Sequence, residues 1–144
     1  MKNKLYQLMN TKTLMIISAI FLAVNGFGFT FFPNEISVLL INDDNHIFIL
    51  ILQILGALYL GFSILNWMSK TNLIGGIYSK PLLIGNLLHF FTASMALIKL
   101  AFKVETNLQL IFSYTIIYSL FTLFFGYVFF TNPSLKQTIE RKEN

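Results

Sequence analysis

The chain has 144 residues, a formal net charge of +4 and no cysteine, and 56 % of its residues are hydrophobic whereas only 11 % are charged. Ordinary soluble domains carry about 25 % charged residues, so the composition is typical of a membrane protein of one domain. The lack of cysteine excludes disulfide bonds, thiolate catalysis, thiolate-bound zinc and iron–sulfur clusters.

Four apolar blocks dominate the chain, at residues 13–32, 47–68, 81–102 and 108–130, and none of them contains Asp or Glu. Each is close to the roughly 20 residues that a membrane-spanning helix needs. Backbone groups in lipid must be satisfied within their own segment, so each block predicts an α-helix. The fold expected is all-α, an integral membrane up-down four-helix bundle in a single domain of residues 1–144, with a polar cytoplasmic tail at residues 133–144.

The amino-terminal block follows Lys2, Lys4 and Lys12, a pattern shared with secretory signal peptides. Its apolar run is longer than a typical signal core, and no small-x-small cleavage site follows it. We therefore expect this block to remain as the first span.

The segment after the first span, residues 33–45, is too apolar between Ile36 and Ile41 for a solvated loop. It predicts a short helix lying at the membrane interface, and Asn34 is a candidate for its N-cap. The connection at residues 69–80 contains Gly75-Gly76, which indicates a turn, and Pro81 suits the first position of the third helix. The short connection at residues 103–107 makes the third and fourth spans antiparallel neighbours.

The basic residues indicate the orientation of the spans in the membrane. With four spans, most of the lysine and arginine residues lie on one side, and only Lys99 and Lys103 lie on the other. That richer side holds Lys2, Lys4, Lys12, Lys70, Lys80, Lys136, Arg141 and Lys142. The positive-inside rule then places both termini in the cytoplasm. No aromatic residues interleave with these cations in a stripe, so the charge does not indicate a nucleic-acid partner.

Small and polar residues recur at helical spacing in every span, and such stripes let membrane helices pack closely. On the third span the stripe is Gly85, Asn86, His89, Thr92, Ala93 and Ala96, and we expect it to turn towards other helices. The other stripes are Ser18, Ala19, Ala23 and Gly26, then Gln53, Gly56, Ala57 and Gly61, then Thr115, Ser119, Thr122 and Gly126.

His89 is the ionisable side chain that cannot extend out of its span, at roughly 12 Å from the cytoplasmic end by helical rise. An ionisable group at this depth is a candidate functional site. If the stripes face inward, His89 shares a polar cluster with Asn86, Tyr59, Asn25 and Tyr118. Asn66 and Trp67 lie at the cytoplasmic mouth below it, and Trp67 also suits an interfacial anchor. The cluster either binds a ligand or relays a proton, or His89 is a neutral structural imidazole.

Several chemistries do not fit these residues. Bis-histidine haem binding fails because His46 lies at the outer surface and His89 in the inner half. One histidine without carboxylates or thiolates supplies too few ligands for a metal. A proton-coupled exporter would need a carboxylate within a span, and the four spans contain none. The sequence also lacks the Gly-x-Ser-x-Gly motif of a serine hydrolase and a phosphate-binding glycine loop. The sequence therefore indicates no catalytic residue, no metal site and no particular cofactor.

The motif Leu55-Gly56-Ala57-Leu58-Tyr59-Leu60-Gly61-Phe62, with Asn66-Trp67 and then Pro81, Gly85-Asn86 and His89, resembles small uncharacterised bacterial four-helix membrane proteins of DoxX-like layout. The resemblance covers about residues 47–99. It implies a multi-pass protein of the bacterial inner membrane, associated with respiratory or redox complexes and sometimes with quinone. Gly56, Gly61, Asn86 and His89 would carry that association.

Three functions remain open from the sequence. The leading one is the binding of a lipophilic ligand, a quinone or lipid-like molecule, in a bundle pocket around His89. The second is an accessory or structural subunit that packs against other transmembrane helices, and the third is an oligomeric pore or transporter. Membrane lipid is the expected surrounding partner, and homo-oligomers or other membrane subunits are further candidates, whereas the identity of the ligand and the pathway stay open.

Overall fold

The computed structural model describes residues 2–42, 45–71, 79–103 and 107–131, with side chains from residue 11 onward. All the regular structure in these ranges is helical. The helices are α1 (Lys2–Phe31), α2 (Pro33–Ile41), α3 (His46–Ser69), α4 (Lys80–Ala101) and α5 (Leu108–Phe130). The predicted Gly75-Gly76 turn and the tail at residues 133–144 lie outside the described residues.

Four of these helices contain a segment long and apolar enough to cross a membrane. The segments are Thr11–Phe31, His46–Ser69, Lys80–Ala101 and Leu108–Phe130. The all-α fold and the four predicted spans are thereby confirmed, and they indicate a multi-pass membrane protein. The bounds agree to within two residues at both ends of every span.

The helices fall into two compact units. The α1–α3 unit is Lys12–Thr71, and the α4–α5 unit holds α4 and α5 together with the first residues of the chain. The up-down order and the single domain stay predictions.

Helix α1 begins at Lys2, well before the apolar block at residue 13. The intervening residues, Lys-Asn-Lys-Leu-Tyr-Gln-Leu-Met-Asn-Thr-Lys, contain neither glycine nor proline. Lys, Leu, Gln and Met are good helix formers, so the helix continues beyond the residues that hydropathy alone would select.

Helix α2 confirms the predicted short helix, but the prediction of Asn34 as its cap is wrong. The helix begins at Pro33, its N-cap position is Phe32, and no side chain caps it. Proline needs no hydrogen-bonding partner for its nitrogen and its fixed φ suits the first turn, so the helix starts two residues earlier than an Asn34 cap would place it. The helix ends at Ile41, and its C-cap is Asn42, where φ is 52° and the backbone N–H donates to the Val38 carbonyl oxygen.

The remaining helix starts use different devices. Asn45 caps α3, because its side-chain oxygen accepts hydrogen bonds from the Ile47 and Phe48 N–H groups at 2.9 and 3.3 Å. Helix α4 starts at Lys80, which moves Pro81 from the predicted first position to the second. Helix α5 follows Asn107, whose φ is 56°.

Helices α1 and α3 make a close contact at Gly26 and Gly56. A Cβ atom added at Gly56 would lie 2.8 Å from the Thr30 nitrogen and 2.9 Å from the Gly26 carbonyl oxygen, and it would also meet the Thr30 hydroxyl. A Cβ added at Gly26 would lie 2.9 Å from the Gly56 carbonyl oxygen. The two backbones are therefore in direct contact, which only glycine at both positions permits.

We expect Gly56→Ala to lower the stability of the folded protein by about 1–3 kcal/mol, the usual effect of overpacking a rigid contact. Gly126→Ala is the matched control for the change of residue type, because a Cβ there lies 3.8 Å from the Leu87 Cδ1 atom, an ordinary van der Waals contact. Thermal unfolding of both variants in one detergent measures the difference. Equal unfolding temperatures for the two variants would contradict the backbone contact.

Candidate functional site

His89 and Tyr118, two of the predicted site residues, lie together in the α4–α5 unit. Their ring centroids are 6.0 Å apart. His89 is half-buried on α4, whereas Tyr118 on α5 is only 2 % exposed. The imidazole is thus held against a neighbouring helix at a position within the membrane-spanning part of α4.

A cluster of aromatic rings continues from His89 along α4 and α5. The His89 ring meets Phe90 edge-on at 5.0 Å, and Phe90 is completely buried. Phe90 stacks on Phe121 at 4.6 Å and on Phe125 at 5.5 Å. The imidazole therefore lies at the edge of a buried aromatic cluster that α4 and α5 form together.

Asn86 lies one turn before His89 on α4 and is completely buried. Its side-chain nitrogen donates to the Leu82 carbonyl oxygen at 3.0 Å. A bond of this kind to the preceding turn satisfies part of the amide within its own helix. Asn86 is thus buried one turn before His89 without a large cost in free energy.

The buried face of α4 differs from the predicted stripe. It consists of Leu83, Asn86, Phe90 and Ser94, whereas Thr92 and Ala96 are exposed. The Thr92 hydroxyl donates to the Leu88 carbonyl oxygen at 2.7 Å, so this polar group needs no partner from another helix. The expectation that the whole stripe turns inward was therefore wrong for these two residues.

The threonine hydroxyl groups of α5 are also bonded within their own helix, and the predicted stripe of this helix is only half-buried. The hydroxyl groups of Thr115 and Thr122 donate to carbonyl oxygens one turn back at 2.7 and 2.9 Å. The buried residues of this helix are Ile111, Tyr118, Phe121 and Phe125. Sequence reasoning missed Phe90 as a neighbour of His89, and it missed Phe121 and Phe125 as the rings that stack on Phe90, although the spacing of the two α5 phenylalanines by four residues is a usable signal.

Asn25 and Tyr59 are buried in the α1–α3 unit. The Asn25 side-chain nitrogen donates to the Phe21 carbonyl oxygen at 2.8 Å. The Tyr59 ring lies 5.6 Å from the ring of Phe29, measured between centroids. Both residues thus contribute to the packing of the helices that carry them.

Asn66 takes part in a buried polar link between α3 and α1. Its side-chain nitrogen donates to the Ser18 hydroxyl at 3.1 Å, and the Ser18 hydroxyl donates to the Met15 carbonyl oxygen at 3.1 Å. One turn away, the Ser63 hydroxyl donates to the Ala19 carbonyl oxygen at 2.8 Å. Asn66 and Ser18 are completely buried, so these bonds join the two helices in a setting without competing water.

Trp67 points differently from its neighbour Asn66, because 49 % of its surface is exposed. The Lys70 ammonium nitrogen lies 3.2 Å from the centre of its ring, a cation–π contact. An exposed tryptophan beside a lysine at a helix end is typical of an anchor at the membrane interface. This geometry favours the anchor among the two roles that the sequence indicated.

The predicted site residues are thus divided between the two units. His89, Asn86 and Tyr118 lie in the α4–α5 unit, and Asn25, Tyr59, Asn66 and Trp67 lie in the α1–α3 unit. The meeting of the second set with His89 stays a prediction.

The described residues contain no group of three or more His, Cys, Asp or Glu side chains that could hold a metal ion. An open hollow at the start of α5 is lined by Asn107, Leu108, Gln109, Leu110 and Ser113. None of the predicted site residues belongs to this hollow.

Comparison with models of protein families, with curated proteins and with solved structures finds no match to this chain. The DoxX-like resemblance consequently stays an expectation that rests on the residues quoted for it.

The Asn66–Ser18 bond predicts a measurable coupling between the two residues. In a double-mutant cycle of Asn66→Ala and Ser18→Ala, we expect a coupling free energy of about 0.6 kcal/mol, with an upper bound of about 1.7 kcal/mol, as for other hydrogen bonds between membrane helices. Unfolding of the four proteins in mixed micelles gives the value. Additive effects would show that the bond contributes nothing to stability.

Proposed function

We propose that this protein binds a lipophilic molecule with a polar head, a quinone or a lipid-like compound, and that His89 contacts the head. The observation that carries the proposal is the imidazole itself, half-buried beside Tyr118 within a helix able to span the membrane. Ionisable side chains are expensive at this depth and commonly mark binding or transfer sites.

The neighbouring side chains suit such a ligand. An imidazole ring offers a donor and an acceptor, and a tyrosine hydroxyl offers both as well. Phe90, next to His89, is buried and stacked on Phe121 and Phe125 of α5, so the two helices that would hold the head are closely packed at this point. The DoxX-like resemblance through Gly56, Gly61, Asn86 and His89 supports a quinone as the first compound to test.

The proposal predicts that His89→Ala weakens the binding of a short-chain quinone, decylubiquinone, about tenfold, the effect of losing one buried hydrogen bond of about 1.4 kcal/mol. Binding is measured from the rise in unfolding temperature with ligand concentration. Phe91→Leu is the matched control, since Phe91 lies on the same helix and is 48 % exposed. His89→Gln keeps a donor and an acceptor, and we expect it to retain part of the affinity.

Two results would overturn this function. One is a folded His89→Ala protein that binds the quinone as the parent does. The other is a purified parent protein that neither binds added quinone nor retains any quinone or lipid-like compound in the mass spectrum of its organic extract.

A second function, that of an accessory subunit packed against other transmembrane helices, is supported by the outer face of α3. Gln53, Ala57 and Gly61 are exposed there, although small residues usually occur where membrane helices meet. Affinity purification of the protein from membranes distinguishes the two functions. A stoichiometric membrane partner, with no effect of His89→Ala on its retention, would favour the subunit.

We also propose that the four spans form an up-down bundle of the bacterial inner membrane with both termini in the cytoplasm. The distribution of lysine and arginine supports this orientation. The exposed apolar side chains of Val38, Leu39 and Ile41 on α2 suit a helix that lies on the outer membrane surface.

The orientation predicts opposite labelling of two single cysteines, which can be introduced cleanly because the chain has none. Lys103→Cys should react with a membrane-impermeant maleimide on intact cells, because Lys103 follows α4 on the outer side. Thr71→Cys should react only after permeabilisation, because Thr71 follows α3 on the cytoplasmic side. The reverse pattern would invert the orientation, and labelling of both residues from outside would refute the single crossing by α4 between them.

A further inference from the structure

Gln53 is a polar side chain that α3 presents to its surroundings inside the membrane-spanning part. Helix α3 has 24 residues, a length of about 36 Å, and Gln53 lies about 10 Å from its start at His46. The hydrocarbon core is about 30 Å thick, so Gln53 lies within it. The side chain is exposed and makes no hydrogen bond with the described residues.

This exposure is costly in lipid. Transfer of an amide from water to a solvent that cannot form hydrogen bonds costs about 4–8 kcal/mol. Acyl chains offer the amide neither a donor nor an acceptor. A surface at this depth that supplies both would therefore be favoured over lipid.

The residues that follow Gln53 on the same side of α3 are small. Ala57 lies one turn further and Gly61 two turns further, and both are exposed. A Cβ atom added at Gly61 would meet nothing within 4 Å, so the backbone there is open to close approach. We name Gln53, Ala57 and Gly61 the outer face of α3.

The outer face is separate from the face that packs on α1. The buried residues of α3 are Leu52, Gly56, Tyr59, Ser63 and Asn66, and Gly56 and Ser63 contact α1 directly. At 100° per residue, Gln53, Ala57 and Gly61 lie about 100–180° around the helix from Leu52. A partner can therefore occupy the outer face without displacing α1.

We propose that the outer face of α3 binds a second copy of this chain, α3 against α3, with the two Gln53 amides hydrogen-bonded across a two-fold axis. All copies insert in the membrane with the same orientation, so two α3 helices that meet run parallel and place their Gln53 residues at one depth. A primary amide is both a donor and an acceptor, so it is complementary to its own symmetry mate. A two-fold interface requires this kind of self-complementary patch.

The small residues make the amide contact geometrically possible. Ala57 and Gly61 are spaced by four residues, the small-xxx-small spacing that allows two membrane helices to approach until their backbones touch. With bulky residues at these positions, the helix axes would be held too far apart for two glutamine side chains to meet. A close backbone approach is already made on the opposite side of α3, where Gly56 contacts α1.

Cysteine cross-linking in native membranes tests the proposal directly. Ala57→Cys should give a disulfide-linked dimer under copper-phenanthroline oxidation, because two Ala57 residues would face each other. Leu58→Cys is the matched control, since Leu58 is 58 % exposed on another side of the same helix, and it should give little dimer. Mass spectrometry of the cross-linked band should give twice the mass of one chain.

The role of the amide is tested by Gln53→Leu, which keeps the approximate volume and removes the hydrogen bonds. We expect the dimer dissociation constant, measured by energy transfer between labelled copies in vesicles, to rise about three- to twentyfold. Gln53→Asn keeps an amide and should lose less. The unfolding temperature of the Gln53→Leu monomer should not fall, because the outer face lies away from α1.

The expected contrast between Ala57→Cys and Leu58→Cys holds even if Gln53→Leu fails to fold. Equal cross-linking at the two positions, or monomers alone at both, would overturn the proposal. So would a Gln53→Leu protein that is folded and dimerises as the parent does, or a cross-linked band whose mass reveals a different protein on the outer face. His89 is untouched in all these variants, so the quinone proposal can fail or succeed independently.

Discussion

The backbone contact between Gly26 and Gly56 is the interaction on which the α1–α3 unit depends. Association of helices in lipid gains little from burying apolar surface, so it relies on close packing and hydrogen bonds between helices. Because no side chain separates α1 from α3 at this point, the two helices are close enough for Ser63 to reach the Ala19 carbonyl oxygen and for Asn66 to reach Ser18. Glycine at the crossing thus positions hydrogen bonds two to three turns away.

Much of the fold could be predicted from the sequence, because the bilayer imposes a length and an apolar composition on each span. The bounds of α3 and α5 follow from these two constraints. The start of α1 does not follow from them, because polar residues such as lysine can extend a helix beyond the apolar block, and hydropathy selects only the apolar block. The start of α2 was missed by two residues because Asn34 suits an N-cap and Pro33 suits a first helical position, and the helix starts at the proline.

The candidate site was harder to predict, because a polar residue in a membrane helix can be satisfied in more than one way. Thr92 donates to its own backbone and stays exposed, whereas Ser63 donates to another helix and is buried. From the sequence alone, the two hydroxyl groups are equivalent, so it does not predict which one bonds within its own helix and which one bonds to another helix. The pairing of His89 with Tyr118 was predictable from their depths, but the choice of Phe90 as the buried neighbour depends on the rotation of α4 about its axis, which a stripe of small residues did not determine.

The polar side chains of the spans can be grouped by which helix supplies their hydrogen-bonding partner. The hydroxyl groups of Thr92, Thr115 and Thr122 donate to carbonyl oxygens of their own helices, and the hydroxyl group of Ser63 donates to a carbonyl oxygen of another helix. Gln53 belongs to neither class. A glutamine is longer than a threonine, so its amide extends away from the helix and does not fold back onto the preceding carbonyl as a hydroxyl does. A lipid-facing glutamine is therefore a stronger indicator of a missing partner than a lipid-facing threonine, and the open backbone at Gly61 shows where that partner has room to approach.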